Sequence, residues 1–321
     1  MTAVPRLSIG LPVYNGEKYL AESLDALLGQ TYEDFEIIIS DNASTDGTAE
    51  ICQLYVAKDS RIRYFRQARN IGACPNHDFT FEQARGELFK WAASDDLYAR
   101  DLLRRCVEAL DADPELVLAH AWQGFIDDLG KVTQLVDYPL KTDSPGAPER
   151  FRSLLFGVGG DDFYGVMRSD VLRRTPGNGS YHHSDRTIMA ELTLLGRFHQ
   201  VPEVLFFRRD HPDRAERANP SKRARCINMD PIRASPWRHP TVRLVAEYVW
   251  GFVSAIRRTP MSAKDRRRCY RHLLTWMASR AIPGNSHRIE DRPPSVFDRP
   301  LLNADDIVAG RADEARPIQA S

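Results

Sequence analysis

A buried strand that ends in a carboxylate dominates the N-terminal part of the sequence. The strand reads Phe35-Glu36-Ile37-Ile38-Ile39-Ser40, and Asp41 follows it at the start of a polar, turn-forming segment that extends to Gly47. Such an apolar, β-branched run predicts a strand of a parallel sheet that is covered on both faces. Ligands of open α/β sheets bind just beyond the carboxyl ends of these strands. Asp41 is therefore predicted to lie at a binding site.

Composition narrows the class of protein. The chain has 321 residues with 44 basic and 44 acidic side chains, a balance that argues against a general nucleic-acid binder. Its five cysteines are scattered, without disulfide or metal-ligand spacing, which favours a reducing compartment. The longest nearly apolar run, residues 244–256, has 13 residues and contains Glu247, whereas a membrane span needs about 20. We expect a cytoplasmic protein, with contact at the inner face of the membrane as the alternative.

Short strands alternate with helices through the first 122 residues, and this alternation predicts an α/β fold with a mostly parallel sheet. The predicted strands are 7–13, 35–40, 61–65, 87–93 and 116–122. The predicted helices are 17–30, 48–57, 76–84 and 100–110. After residue 123 the sequence predicts a hairpin turn at 127–131, a strand at 163–167, a helix at 185–195 and an edge strand at 198–208.

The region from about residue 220 differs in charge and pattern. Residues 238–280 contain ten basic and two acidic side chains. One helical face is predicted to carry Val242, Val245, Val249, Val253 and Ile256, and it either packs on the rest of the chain or a second subunit, or touches anionic lipid. We predict a catalytic unit at 1–220 (halves 1–122 and 123–220), a helical extension at 221–282 and an extended or partly disordered tail at 283–321.

Polar side chains follow three of the predicted parallel strands. Asn15 follows the first strand, Asp41 the second, and Asp95 with Asp96 the fourth. Paired carboxylates hold hard divalent cations such as Mg²⁺ or Mn²⁺, with diphosphate oxygens and water at the remaining positions. The alternative for Asp95 and Asp96 is a helix N-cap. Their convergence with Asp41 favours a nucleotide site.

Four segments together resemble family-2 glycosyltransferases, which have the GT-A fold. They are Pro12-Val13-Tyr14-Asn15, Asp41-Asn42-Ala43-Ser44-Thr45-Asp46-Gly47, Asn70-Ile71-Gly72 and Trp91-Ala92-Ala93-Ser94-Asp95-Asp96. The resemblance is strong over residues 5–122 and continues to about 212. It implies a nucleotide-diphosphate-sugar donor, a divalent metal (Mn²⁺ or Mg²⁺) and inversion at the anomeric carbon.

The resemblance also implies roles for single residues. Asp41 would read the base, and Asp95 would bind the metal, although the first position of the family's DxD motif is Ala93 here. Asp96 and His211 are further candidate metal ligands. The remaining candidate donor-binding residues are Pro12, Tyr14, Asn15, Asn42, Ser44 and Asn70.

On the acceptor side, Asp185 matches the place of the family's catalytic base. An acceptor hydroxyl is a poor nucleophile, and a carboxylate must accept its proton. The alternative is that Asp185 caps the helix that follows it.

The sequence thus predicts an inverting glycosyltransferase that uses a UDP- or dTDP-sugar and a glycan, lipid-linked or small-molecule hydroxyl acceptor. One rival is a non-catalytic nucleotide-binding protein of the same fold, which Ala93 favours. The other is a nucleotidyltransferase, although residues 13–17 lack the Gly-rich basic loop typical of that class.

Overall fold

The computed structural model describes residues 4–137, 140–157, 161–181, 183–281 and 306–307. Apart from residues 306 and 307, the predicted tail at 283–321 lies outside the described residues.

The described chain forms one mixed, mostly parallel sheet. Its strands are β1 (Leu7–Val13), β2 (Phe35–Asp41), β3 (Ile62–Arg66), β4 (Leu88–Trp91), β5 (Leu97–Tyr98), β6 (Leu116–Ile126), β7 (Val132–Val136), β8 (Val166–Arg168) and β9 (Arg197–Arg209). Their order is β3-β2-β1-β4-β8-β6-β9-β5, and β7 adds to β6. The pairs among β1 to β4 are parallel, as is β6 with β9, whereas β8 is antiparallel to both β4 and β6. The predicted fold class is confirmed.

Helices pack beside the sheet, and further helices come after its last strand in the sequence. They are α1 (Leu20–Leu28), α2 (Thr48–Lys58), α3 (Ala73–Glu82), α4 (Leu102–Ala112), α5 (Ala147–Phe156), α6 (Ser169–Leu172), α7 (Ser184–Leu195), α8 (Ala215–Ala218), α9 (Lys222–Met229), α10 (Thr241–Arg258) and α11 (Ala263–Ala281). α3 lies so close to β1 that a Cβ at Gly10 would come within 2.3 Å of the Thr80 hydroxyl. None of the described helices is long and apolar enough to cross a bilayer.

Two strand predictions in the second half were wrong. Residues 161–164 form a 3₁₀ turn, and the strand predicted from residue 163 begins only at Val166. The strand predicted at the edge is β9, which pairs with β6 along its whole length and with β5 near its end. Local sequence does not reveal β5, because it is only two residues long.

The C-terminal helices share a core with the middle of the chain. Phe252, Ala255 and Ile256 of α10 are buried against residues of α5 and α7, as are Cys269 and Leu273 of α11. The face predicted for packing is only partly the packed one, because Ile256 is fully buried and Val253 packs against the same core, whereas Val242 is 81% exposed and Val245 is 46% exposed. The packed face also includes Phe252 and Ala255, which the valine pattern did not indicate, and Leu244 is buried near the start of the helix.

The predicted hairpin turn at 127–131 is confirmed, and it joins β6 to β7. Asp127 and Lys131 close it through a backbone hydrogen bond, and Gly130 adopts a φ of 80°. Residues 122 and 123, the predicted border between the two halves, both lie inside β6.

Candidate active site

The carboxyl ends of β1, β2 and β4 meet at one edge of the sheet. Val13 is in register with Asp41, and Gly10 is in register with Trp91. All three strands run in the same direction, so the residues that follow them lie at one edge. The structure therefore brings together the polar segments that the sequence placed after these strands.

Asp41 is fully buried and already has partners. Its Oδ1 accepts the Ser44 backbone N–H at 2.7 Å, and its Oδ2 accepts the Tyr64 hydroxyl at 2.9 Å. The Arg66 Nε lies 3.6 Å from Oδ2, on a side chain that is 51% exposed. Burial, followed by the bond to Asp41, raises the pKa of Tyr64. A ligand that reaches Asp41 must displace one of these groups, and exposed Arg66 is the easiest to move.

Several of the predicted donor-binding residues hold the loops together. The Asn15 backbone N–H donates to the Ser44 Oγ, and the Asn15 Oδ1 accepts the Thr45 N–H. Asn42 donates to the Asn70 Oδ1 at 3.1 Å. Asn15 and Ala43 adopt positive φ values of 51° and 60°, which these cross-links stabilise. Polar side chains in this motif thus shape the loop.

Two further candidates differ in exposure. Tyr14 follows β1 and is 49% exposed, so its ring is available to a ligand. Pro12 is buried within β1, in register with Ser40.

Asp95 and His211 form a pair across the sheet edge. The Asp95 Oδ2 lies 2.9 Å from the His211 Nε2, and the imidazole is almost buried and packs against the Tyr19 ring at a tilt of 56°, with 4.9 Å between the ring centres. The His211 Nδ1 is buried and has no hydrogen-bond partner within the described ranges. Asp96 points elsewhere, since its Oδ1 accepts the Arg209 backbone N–H at 2.9 Å. Of the three predicted metal ligands, Asp95 and His211 come together and Asp96 braces β9.

Arg209 is a buried cation that ties these segments to the first helix. Its guanidinium donates to the Glu22 carboxylate at 2.6 Å and to the Asp95 carbonyl at 2.8 Å. It also packs over the Tyr19 ring. Only 1% of its side chain is exposed, so it positions the Asp95 loop.

The Asp95–His211 pair has a spacing that suits a divalent cation. Two ligands at right angles in an octahedral site, each about 2.1 Å from the ion, lie about 3 Å apart. The observed 2.9 Å is the length of a hydrogen bond between the two side chains, and it is also compatible with that separation. No cluster of three His, Cys, Asp or Glu side chains suited to a metal occurs in the described part of the chain. A cation held here would thus take its other ligands from diphosphate and water.

Asp185 lies in the first turn of α7, where the sequence placed it. His183 precedes the helix in a left-handed conformation with φ of 64°. The N-terminus of α7 packs on that of α3, because the Ser184 Oγ lies 3.4 Å from the Cys74 Sγ. Asp185 lines a small cleft together with Leu140, Leu154, Gly157, Asp162, Arg186 and Met189.

Sequence reasoning missed His77, on α3 near Asp185. Its Nδ1 lies 2.8 Å from the Ala73 carbonyl, which only accepts, so Nδ1 carries the proton in the neutral ring. Burial lowers the pKa of His77, while the charge of Asp185 opposes this. The Nε2 then holds a lone pair, and the ring packs against Trp91 and Phe163. A lone His gave no signal in the sequence.

Comparison with known proteins decides the family. Residues 8–170, half of the chain, match the model of Glycosyl transferase family 2. The chain belongs to glycosyltransferase family 2. The matched residues 8–170 of this family-2 chain contain the polar segments that follow β1, β2 and β4. The match ends before Asp185 and His211.

One relative is an uncharacterised glycosyltransferase from Haemophilus influenzae. It is 33% identical over 140 residues, which cover 44% of this family-2 chain and 56% of the relative. The match thus spans about half the length of that protein.

Two solved structures share the fold. S. aureus TarS 1-349, in complex with UDP-GlcNAc, has a TM-score of 0.51 at 16% identity, covering 86% of this chain and 91% of TarS 1-349. The mannosyltransferase PcManGT from Pyrobaculum calidifontis, in complex with GDP-Man and Mn²⁺, has a TM-score of 0.50 at 18% identity, covering 88% of this chain and 83% of that chain. Both support the GT-A fold expected of a family-2 member.

Proposed function

We propose that this family-2 chain transfers a sugar from a nucleotide-diphosphate sugar to a hydroxyl acceptor, with inversion. The Asp95–His211 pair carries the proposal, because it joins the ends of β4 and β9 at a spacing that suits a cation. Asp41 lies at the same edge of the sheet, at the end of β2. The UDP-GlcNAc bound by TarS and the GDP-Man and Mn²⁺ bound by PcManGT are consistent with such a site.

In this mechanism Asp95 and His211 would hold Mn²⁺ or Mg²⁺, and such a cation would supply positive charge to the diphosphate leaving group. Arg209 holds the Asp95 loop in place by donating a hydrogen bond to the Asp95 carbonyl. Asp185 accepts the proton of the acceptor hydroxyl as its oxygen bonds to the anomeric carbon. The bond from that carbon to the diphosphate breaks on the opposite face, so the configuration inverts.

We infer a preference for a uracil or thymine base from the partners of Asp41. Its Oδ1 accepts the Ser44 N–H and its Oδ2 accepts the Tyr64 hydroxyl, so that, once Arg66 moves away, Oδ2 can still accept one donor from the base. Uracil and thymine offer one N–H between two carbonyl oxygens, whereas guanine offers two adjacent donors. Arg66, displaced from Oδ2, can donate to a neighbouring carbonyl.

Isothermal titration with UDP and GDP, each with and without Mn²⁺, tests this function. We expect UDP to bind more tightly than GDP, and Mn²⁺ to strengthen the binding. Asp95→Asn should reduce the Mn²⁺ effect, whereas Asp170→Asn, at the exposed start of α6, should not. Absence of nucleotide binding would refute the proposed function, and tighter GDP binding would refute the base preference.

A non-catalytic nucleotide-binding protein is the second candidate, favoured by Ala93 at a position where the family has a carboxylate. The Ala93 carbonyl instead accepts the Ser23 and Tyr98 hydroxyls. UDP binding that is independent of Mn²⁺, with no release of UDP from a UDP-sugar, would support this candidate.

A further inference from the structure

The outer side of α10 carries large apolar side chains that the fold leaves exposed. Val242, Val245 and the half-buried Val249 lie along one side of the helix at spacings of three and four residues, and Trp250 lies about 100° further around it. Val242 is 81% exposed, Trp250 57% and Val245 46%. We call these four residues, with Trp237 of the preceding turn, the outer face of α10.

Trp237 is the most exposed of this set, at 94%. The turn that carries it is held against the start of α10, because Arg243 donates to the Arg238 carbonyl at 2.6 Å. Arg233, just before the turn, donates to Glu247 on the helix at 2.7 Å. The tryptophan is therefore presented by an ordered segment. Contiguous apolar patches on a protein surface mark interaction sites, whereas single exposed apolar side chains are ordinary.

The C-terminal helical region that carries this surface has exposed positive charge without acidic partners among the described residues. Arg238 and Arg257 are exposed and form no ion pair with any residue that the structure describes, and Arg257 lies 5.8 Å from the Trp250 ring. On α11, Lys264, Arg267 and Arg271 are exposed in the same way. The two carboxylates of 238–280 are engaged elsewhere. Glu247 pairs with Arg233 and Arg243, and Asp265 bonds to Ser262.

We propose that the outer face of α10 binds an anionic lipid surface. Tryptophan favours the interface between membrane and water, and arginine is attracted to anionic headgroups. A second copy of the chain fits less well, because a symmetric interface places the same unpaired arginines against each other. Binding there would bring the active site to acceptors held in a membrane. The proposal does not depend on glycosyl transfer.

Vesicle co-sedimentation of the full chain tests this proposal. We expect binding to vesicles that contain phosphatidylglycerol, little binding to vesicles of phosphatidylcholine alone, and weaker binding as salt rises. Tryptophan emission should shift to shorter wavelength on binding.

Variants on the surface should abolish the interaction. Arg238→Ser with Arg257→Ser should lower partitioning by about tenfold or more, and Trp237→Ser with Trp250→Ser should remove the emission shift. The matched control is Leu54→Ser with Arg100→Ser, which removes one exposed apolar side chain and one positive charge far along the chain from α10.

Three results would overturn the proposal. One is equal loss of binding in the control, and another is no binding of the parent chain to anionic vesicles. The third is a dimer, measured by light scattering, that the tryptophan variants dissociate without any vesicle binding. Nucleotide titration of the same variants checks that they are folded. It also shows whether a loss of vesicle binding is separate from a failure of the proposed function.

Discussion

The position of Asp185 at the start of α7 bears on whether it caps the helix or accepts a proton. That position would suit a helix cap, but His183 is the N-cap residue, and Asp185 lines a cleft. A carboxylate in a cleft at a rigid helix start is well placed to receive a proton.

Replacing Asp185 tests its role as a base. Asp185→Asn should lower turnover by about 10²-fold or more, because the amide cannot accept the hydroxyl proton, while nucleotide affinity stays unchanged. The measurement is UDP release from a UDP-sugar alongside isothermal titration. Asp170→Asn is the control, and normal turnover by Asp185→Asn would refute the assignment.

His77 offers a hydrogen-bond acceptor near Asp185. His77→Leu should reduce turnover by about tenfold, since one acceptor to a substrate hydroxyl is lost. His77→Gln should recover much of the rate, because its amide oxygen can replace Nε2. Equal loss in both variants, with lowered melting temperatures, would instead indicate a purely structural role.

The positions of some candidate residues could be predicted from the sequence and others could not. A carboxylate at a strand end or helix start is conspicuous, so the places of Asp41, Asp95 and Asp185 in the fold were predictable. Tyr64 and Arg66 were missed because β3 brings them to Asp41 through the sheet, from 23 and 25 positions along the chain. The bracing roles of Asn15, Asn42 and Ser44 emerge only from the hydrogen bonds between loops.

At the scale of elements, β9 connects the site to α1. Its last residue, Arg209, is buried and reaches Glu22 on α1, while its backbone is held by Asp96. The long strands β1, β2 and β6 were predictable from continuous apolar runs. The packed side of α10 was not, because valines and bulkier residues occur on both sides of that helix.

Removing Arg209 should destabilise this junction. We expect Arg209→Met to reduce the free energy of unfolding by about 3 kcal/mol, because the half-buried Glu22 and the Asp95 carbonyl lose their partner. Glu22→Gln should cost about 2 kcal/mol, since the glutamine oxygen can still accept from the Arg209 guanidinium but no longer balances its charge. Urea denaturation measures both. A smaller loss for Arg209→Met than for Glu22→Gln would contradict this account.

At the scale of the molecule, one buried charge limits stability. Lys90 lies inside the sheet, donates to the Tyr164 carbonyl and packs near the Tyr98 and Phe206 rings. Burial lowers the pKa of Lys90 from 10.5 to about 8, partly opposed by the charges of Cys106 and Asp96.

This shift predicts a pH-dependent stability. Between pH 8 and 10.5 the unfolded chain keeps the Lys90 proton while the folded chain loses it, so this residue makes stability rise with pH in that window. The gain is about 3 kcal/mol across the window. Lys90→Met should remove it and stabilise the protein below pH 8. Chemical denaturation of both proteins at several pH values measures the difference, and parallel profiles would contradict the prediction.

The pairing of β6 with β9 sets a rule for building chimeric enzymes from family members. β6 runs through the predicted border at residues 122 and 123, and it is hydrogen-bonded to β9 from Leu116 to Ile126. An exchange made at that border would cut a strand and leave β9 beside a foreign neighbour. A graft that alters acceptor choice should therefore carry both strands together, with a residue at 22 that can pair with Arg209.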